Sequence, residues 1–155
     1  MNIKPTRTAG LAAGLLAVIL SIGAAAQDAP QPPLPTVRLT AGGMHIIQAE
    51  VARSMSERAT GMMWRTEMPV NAGMLFVFED LSQHCFWMRN TLLPLSIAFI
   101  ADDGTVVSLA DMEPRSTKEH CAAKPVRYAL EMNQGWFAKR GIKPGSRLQG
   151  GPFSS

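Results

Sequence analysis

Residues 96–110 read SIAFIADDGTVVSLA. Two short apolar runs, Ser96–Ala101 and Thr105–Ala110, stand on either side of Asp102-Asp103-Gly104. Such runs have strand character, and Asp-Gly tolerates the positive φ of a type I′ turn, so the stretch predicts a tight β-hairpin. The neighbouring sequence extends the pattern. Upstream, Val37–Leu39 and Met44–Val51 flank Gly42-Gly43, a second hairpin candidate. Met74–Phe78 (MLFVF) and Cys85–Asn90 are further strands, the latter separated from Ser96 by Thr91–Pro94, where proline interrupts any ladder. Downstream, Val126–Met132 alternates, with Val126, Tyr128, Leu130 and Met132 on one side and Arg127, Ala129 and Glu131 on the other. Arg147-Leu148 can close the sheet.

Helix signals are few. Ser54 and Glu57 have capping-box spacing and open a short helix to about Met63. Gln134–Arg140 predicts a second, stopped by Gly141. The expected fold is mainly β: a single-domain β-sandwich or partial barrel of about seven or eight short antiparallel strands with two short helices.

The first 26 residues read as a secretory signal. Lys4 and Arg7 give a positive start, Leu11–Ile22 an apolar run, and Ala24-Ala25-Ala26 a small-residue cleavage site before Gln27. An uncleaved membrane anchor is the competing reading of this stretch. The short, bacterial style of the leader points to the periplasm. No other segment approaches the 18 or more apolar residues of a membrane span. Gln27–Thr36 (QDAPQPPLPT) carries four prolines and reads as an extended linker, with the β-rich domain at 37–155. Cleavage would leave 129 of the 155 residues, enough for one hydrophobic core. Removing Lys4 and Arg7 from the 15 basic residues leaves 13 against 12 acidic ones, a net charge of +1. That weak field gives no support for nucleic-acid binding, which needs a concentrated basic patch. A monomer without a cofactor is expected.

The middle of the chain contains a series of phrases: Glu57-Arg58-x-x-Gly61-Met62-Met63-x-Arg65, Gly73–Phe78 (GMLFVF), Phe86–Thr91 (FWMRNT), Pro94-Leu95, Tyr128-x-Leu130-Glu131 and Gly135-Trp136. In this order and spacing they resemble the uncharacterised family called domain of unknown function 192, over about residues 45–150. The resemblance implies a small, mainly β domain with short helices and carries no assigned activity. Two positions depart from the family pattern. Ser96 follows Pro94-Leu95 where Asp is usual, and Gly145-Ser146 stands where Gly-Asp is usual. A cation site or base that relied on those carboxylates would be lost here.

Cys85 and Cys121 are the only cysteines. An oxidising compartment and an even count favour a disulfide between them. A free nucleophile, a metal pair and inert thiols are the alternatives. His84-Cys85 and His120-Cys121 form a duplicate that could offer zinc or copper ligands. Adjacent strand residues point to opposite faces, so each His should diverge from its Cys, and no metal site is expected. The ten methionines are scattered through apolar phrases; Met62, Met63, Met74 and Met88 read as core filler.

The best site candidate is the polar edge Arg89-Asn90-Thr91 beside Trp87. A permanently charged planar fork next to an amide and an indole suits anion recognition. Arg58 and Arg65 could lie close by, with Glu131 pairing one of them. There is no Ser nucleophile elbow, no P-loop and no dinucleotide glycine pattern. The leading expectation is a non-catalytic exported binding or accessory domain, its site built from Arg58, Arg65, Trp87, Arg89, Asn90 and Glu131. It would take a small anionic ligand or an extended peptide segment. The rivals are an envelope hydrolase or transferase with Glu131 or a His as base, and a metal-handling protein using the His, Cys and Met set.

Overall fold

A computed structural model of the chain describes residues 28–153. The leader expectation falls outside this range. Among the described residues nine strands form: β1 Thr36–Ala41, β2 His45–Ala52, β3 Ala72–Ser82, β4 Cys85–Phe86, β5 Leu95–Ile100, β6 Val106–Met112, β7 His120–Cys121, β8 Val126–Asn133 and β9 Leu148–Gln149. Seven of them make one sheet in the order β6-β5-β8-β3-β2-β1-β9, and β4 pairs with β7 in a separate ribbon. The architecture is thus a single curled half-barrel sheet with a small ribbon, not a sandwich of two stacked sheets. Nor is it purely antiparallel, because β2 and β3 run parallel. The chain between them makes the crossover that a parallel pair requires.

The sheet curls far enough for its edges to touch at one corner. Thr105, just before β6, bridges Arg147, Val106 N–H donates to Ser146 O at 2.8 Å, and Leu148 N–H donates to Gly104 O at 2.8 Å. Both faces are covered. One holds Leu39, Ile47, Leu75, Leu130, Trp136 and Phe137; the other holds Met62, Phe76, Met88, Ile97, Phe99 and Ala129. Met62, Met74 and Met88 are core residues as expected.

Helix is scarce. The first stretch, α1 Met55–Thr60, has the expected capping box: Glu57 N–H donates to Ser54 Oγ at 3.1 Å, and Ser54 N–H donates to Glu57 Oε2 at 2.8 Å. It stops at Gly61, short of Met63. The second, α2 Trp136–Lys139, has four residues. The two helices expected from sequence shrink to isolated turns. The predicted strand over Cys85–Asn90 shrinks likewise to Cys85–Phe86, and Asn90 sits in a turn at φ 58°. The proline-rich segment is extended but docked. Gln31 Nε2 donates to Glu57 O at 3.1 Å and Gly61 O at 2.9 Å, and Pro35 O accepts from Val51 N–H at 2.9 Å.

The β5–β6 hairpin forms where the sequence put it, with a different turn. Neither Asp102 nor Asp103 has positive φ; Gly104 does, at 85°. Gly104 N–H donates to Ala101 O at 2.9 Å, and Asp103 Oδ1 accepts from Thr105 N–H at 3.0 Å. A longer connection with a register shift between Phe99 and Ile100 replaces the type I′ turn. Leu148 explains the glycine: a Cβ on Gly104 would lie 2.2 Å from Leu148 O. Gly104→Ala should cost at least about 2 kcal/mol, from left-handed backbone strain plus the clash. Gly43 also has positive φ but has open space around it, so Gly43→Ala should cost only about 1 kcal/mol. Urea unfolding of the two variants measures the contrast. Equal losses would mean that the Leu148 contact does not hold the corner.

Candidate ligand-binding site

Glu131 decides where the chemistry can lie. It occupies β8 between β3 and β5, with Met74 and Ile97 as its cross-strand neighbours. Both neighbours are fully buried, and Glu131 is only 4% exposed. No hydrogen bond to its carboxyl is formed by the described residues, and neither Arg58 nor Arg65 pairs with it. Burial pushes its pKa up to about 8. Taking an unpaired carboxylate out of water disfavours the charged form, so the group stays protonated at neutral pH.

The carboxyl borders a cavity of about 380 Å³. α1 and the turn after it supply Met55, Arg58, Met62 and Met63; β3 supplies Phe76 and Phe78. The ribbon side adds Cys85, Phe86 and Trp87, and Thr91 closes the wall. Phe86 stands edge-on to Phe76, with ring centroids 4.9 Å apart, and to Phe78 at 6.1 Å. Thr91 is buried, whereas Trp87 is 48% and Met55 80% exposed at the rim. Apolar and aromatic walls around a few polar atoms, at the lower end of about 300–1,000 Å³, match the usual form of small-molecule sites.

The disulfide expected from sequence is present: Cys85 and Cys121 face each other across the ribbon. The bridge anchors the strand from which Phe86 and Trp87 enter the wall. It also occupies both sulfurs, so Glu119 beside them does not complete a thiolate site. The two histidines have different neighbours. His84 stacks on Phe78 at 3.5 Å between centroids, while His120 lies opposite Phe86 in the ribbon. Burial, then Lys118, lowers the His120 pKa.

The predicted arginines separate. Arg58 lines the cavity, but its guanidinium lies 5.1 Å from the Phe78 centroid, and its Nη1 donates to Val77 O at 3.0 Å and to Arg53 O. Arg65 makes a two-bond pair with Glu50 at 2.5 and 2.8 Å. That bond, with Leu34 N–H donating to the same carboxylate, holds Glu50 below the usual carboxylate range. Arg89 is exposed, 5.7 Å from the Trp87 ring centroid. The Asn90 carbonyl accepts from Trp64 N–H at 2.9 Å, which joins the turn after α1 to the FWMRNT turn. Of the six predicted site residues, Arg58, Trp87 and Glu131 therefore meet at the cavity, and Arg65, Arg89 and Asn90 do not line it.

Ser96 has its own role. Its hydroxyl accepts from Gly135 N–H at 2.8 Å and donates to Asp111, its partner across β5–β6. A carboxylate thus remains beside the position where the family pattern has Asp. Ser146 Oγ accepts from Lys143 N–H at 3.0 Å and belongs to the corner turn.

The model of the family called DUF192, described as Uncharacterized ACR, matches residues 37–150. The chain belongs to this family. A crystal structure of a protein from Sinorhizobium meliloti 1021, described as a candidate transcription regulator, is 35% identical with a TM-score of 0.75; the match covers 79% of this chain and 98% of that one. A protein of unknown function from Novosphingobium aromaticivorans DSM 12444 is 37% identical with a TM-score of 0.73, over 81% of this chain and 94% of that one. No curated protein matches. The DUF192 phrases now have places in the fold: Gly61-Met62-Met63, Phe76, Phe86-Trp87, Thr91 and Glu131 all border one cavity.

Sequence reading missed the enclosing walls. Thr91 belongs to the polar edge read from sequence, whereas Met63, read as core filler, lines the cavity. The signal that could have found the site is Glu131 itself, an acid set among the apolar Ala129, Leu130 and Met132.

Proposed function

We propose that this DUF192 member is an exported small-ligand-binding domain, and that its ligand enters between α1 and the β4–β7 ribbon to meet Glu131. One observation carries the reading: a buried carboxyl without a partner borders an apolar cavity. No sealed side-chain polar atom among the described residues lacks a partner, so the Glu131 carboxyl, which makes no hydrogen bond, opens to the cavity, where a ligand can supply one. The leader-like N-terminus and the Cys85–Cys121 bridge support export, since disulfides persist in oxidising compartments.

Native mass spectrometry of the full chain purified from a periplasmic fraction tests this. The expected spectrum carries a co-purified small molecule, and Trp87→Ala should reduce its occupancy at least about tenfold. Trp87 is half exposed at the rim, so its loss should move the melting temperature by no more than about 3 °C. Occupancy unchanged in Trp87→Ala would place the ligand elsewhere.

A second reading is favoured by the same carboxyl. A group that titrates near pH 8 on a cavity wall suits general acid–base catalysis. A co-purified molecule recovered chemically altered from the wild type, and intact from Glu131→Gln, would favour this reading.

A further inference from the structure

The cavity offers little to an anion and much to a cation. Besides Glu131, Arg58 is the one charged side chain on its wall among the described residues. The donors of Arg58 are turned to Val77 O and Arg53 O, and its planar face lies on Phe78. β3 and β5 bring only Met74 and Ile97 against the Glu131 side chain, the ribbon cysteines are bridged, and His84 lies outside, stacked on Phe78. What remains of use to a polar ligand is a carboxyl without a donor, the rings of Phe76, Phe86 and Trp87, and the threonines Thr60 and Thr91. Aromatic rings here already receive cations: Arg58 on Phe78 and Arg89 on Trp87.

Resting on the ligand-binding reading above, we infer that the ligand is an amine, whose ammonium group pairs with the Glu131 carboxylate while its apolar stem lies among Phe76, Phe86 and Trp87. The step balances simply. The ammonium enters with its proton, Glu131 gives its own proton to solvent, and one proton leaves per ligand bound. A charge-assisted hydrogen bond replaces an unmade one, and the aromatic walls lower the cost of desolvating the cation. Since the free carboxyl holds its proton up to about pH 8, affinity should rise with pH below that value, by up to about tenfold per unit.

Three probes of one shape test this by isothermal titration calorimetry on the full chain: benzylamine, benzyl alcohol and benzoate. Benzylamine should bind tightest at pH 7 and release close to one proton, read from buffers of different ionisation enthalpy. Its affinity should rise about tenfold from pH 6 to pH 7. Glu131→Gln should abolish both the proton release and the pH dependence while leaving the weaker binding of benzyl alcohol in place. Benzyl alcohol or benzoate binding better than benzylamine, or benzylamine binding without proton release, would overturn the amine inference and leave the binding cavity standing. No binding by any of the three would overturn the inference, and with a co-purified ligand insensitive to Trp87→Ala the cavity reading would fall as well.

Discussion

Glu131→Gln should make the protein more stable than the wild type at pH 8 and leave it nearly unchanged at pH 5. The sign follows from the direction of the shift. The folded carboxyl titrates at about 8, above its ordinary value of 4.5. Between those values the native state keeps a proton that the unfolded chain has lost. The native state therefore binds more protons, and stability falls as pH rises. The contribution of the buried acid is whole below pH 4.5 and is lost as pH passes through about 8. The slope can reach about 1.4 kcal/mol per pH unit. Glutamine does not titrate, so the variant should lack this decline. At pH 8 its advantage should be at least about 2 kcal/mol, or roughly 8 °C in melting temperature for a domain of this size. His120, whose pKa is lowered, contributes equally to both proteins and cancels in the difference. Circular dichroism melts at pH 5, 6, 7 and 8 measure it. Parallel wild-type and variant curves would mean that Glu131 is not held protonated by the fold.

Opening the Cys85–Cys121 bridge should have an effect of similar size at every pH. The cysteines are 36 residues apart, and closing a loop of that length restricts the unfolded chain by about 3–4 kcal/mol. The ribbon it joins has only two paired positions, Cys85 with Cys121 and Phe86 with His120. Beyond these, Ala122 N–H donates to His84 O, Gln83 Nε2 to Ala122 O and Met88 N–H to Ser116 O. The Cys85→Ser/Cys121→Ser double variant should lose about 3 kcal/mol in urea unfolding, and its Phe86–Trp87 wall should exchange amide hydrogens faster than β5 and β8. A loss below about 1 kcal/mol would show that the ribbon is held by its packing on Phe76 and Phe78 instead.

What was legible in the sequence was local. The Asp-Asp-Gly segment placed a hairpin correctly because turn chemistry acts over a few residues. Its turn type depended on Leu148, 44 positions beyond Gly104, which only the closed corner brings near. Alternation in Val126–Met132 assigned Glu131 a face, but α1 and the ribbon fold over that face and bury it. Nothing in the strand itself signals that cover. The arginines divide for the same reason. Arg65 finds Glu50 on β2 and Arg58 finds Phe78 on β3, pairings made by the parallel crossover rather than by sequence neighbourhood. Ser96 looked like a lost carboxylate until β6 placed Asp111 opposite it. The cysteine pairing was legible because two cysteines allow only one pairing within the chain, whatever the topology.

The Glu131 carboxyl, buried at the cavity without a protein partner, should hold its proton at neutral pH. A carbon-13 NMR titration of the Glu131 side-chain carboxyl in the full chain tests it most directly. The expected midpoint is about pH 8, against 4.5 for an ordinary glutamate. A midpoint at the ordinary value would contradict the claim and remove the cavity's one distinctive group.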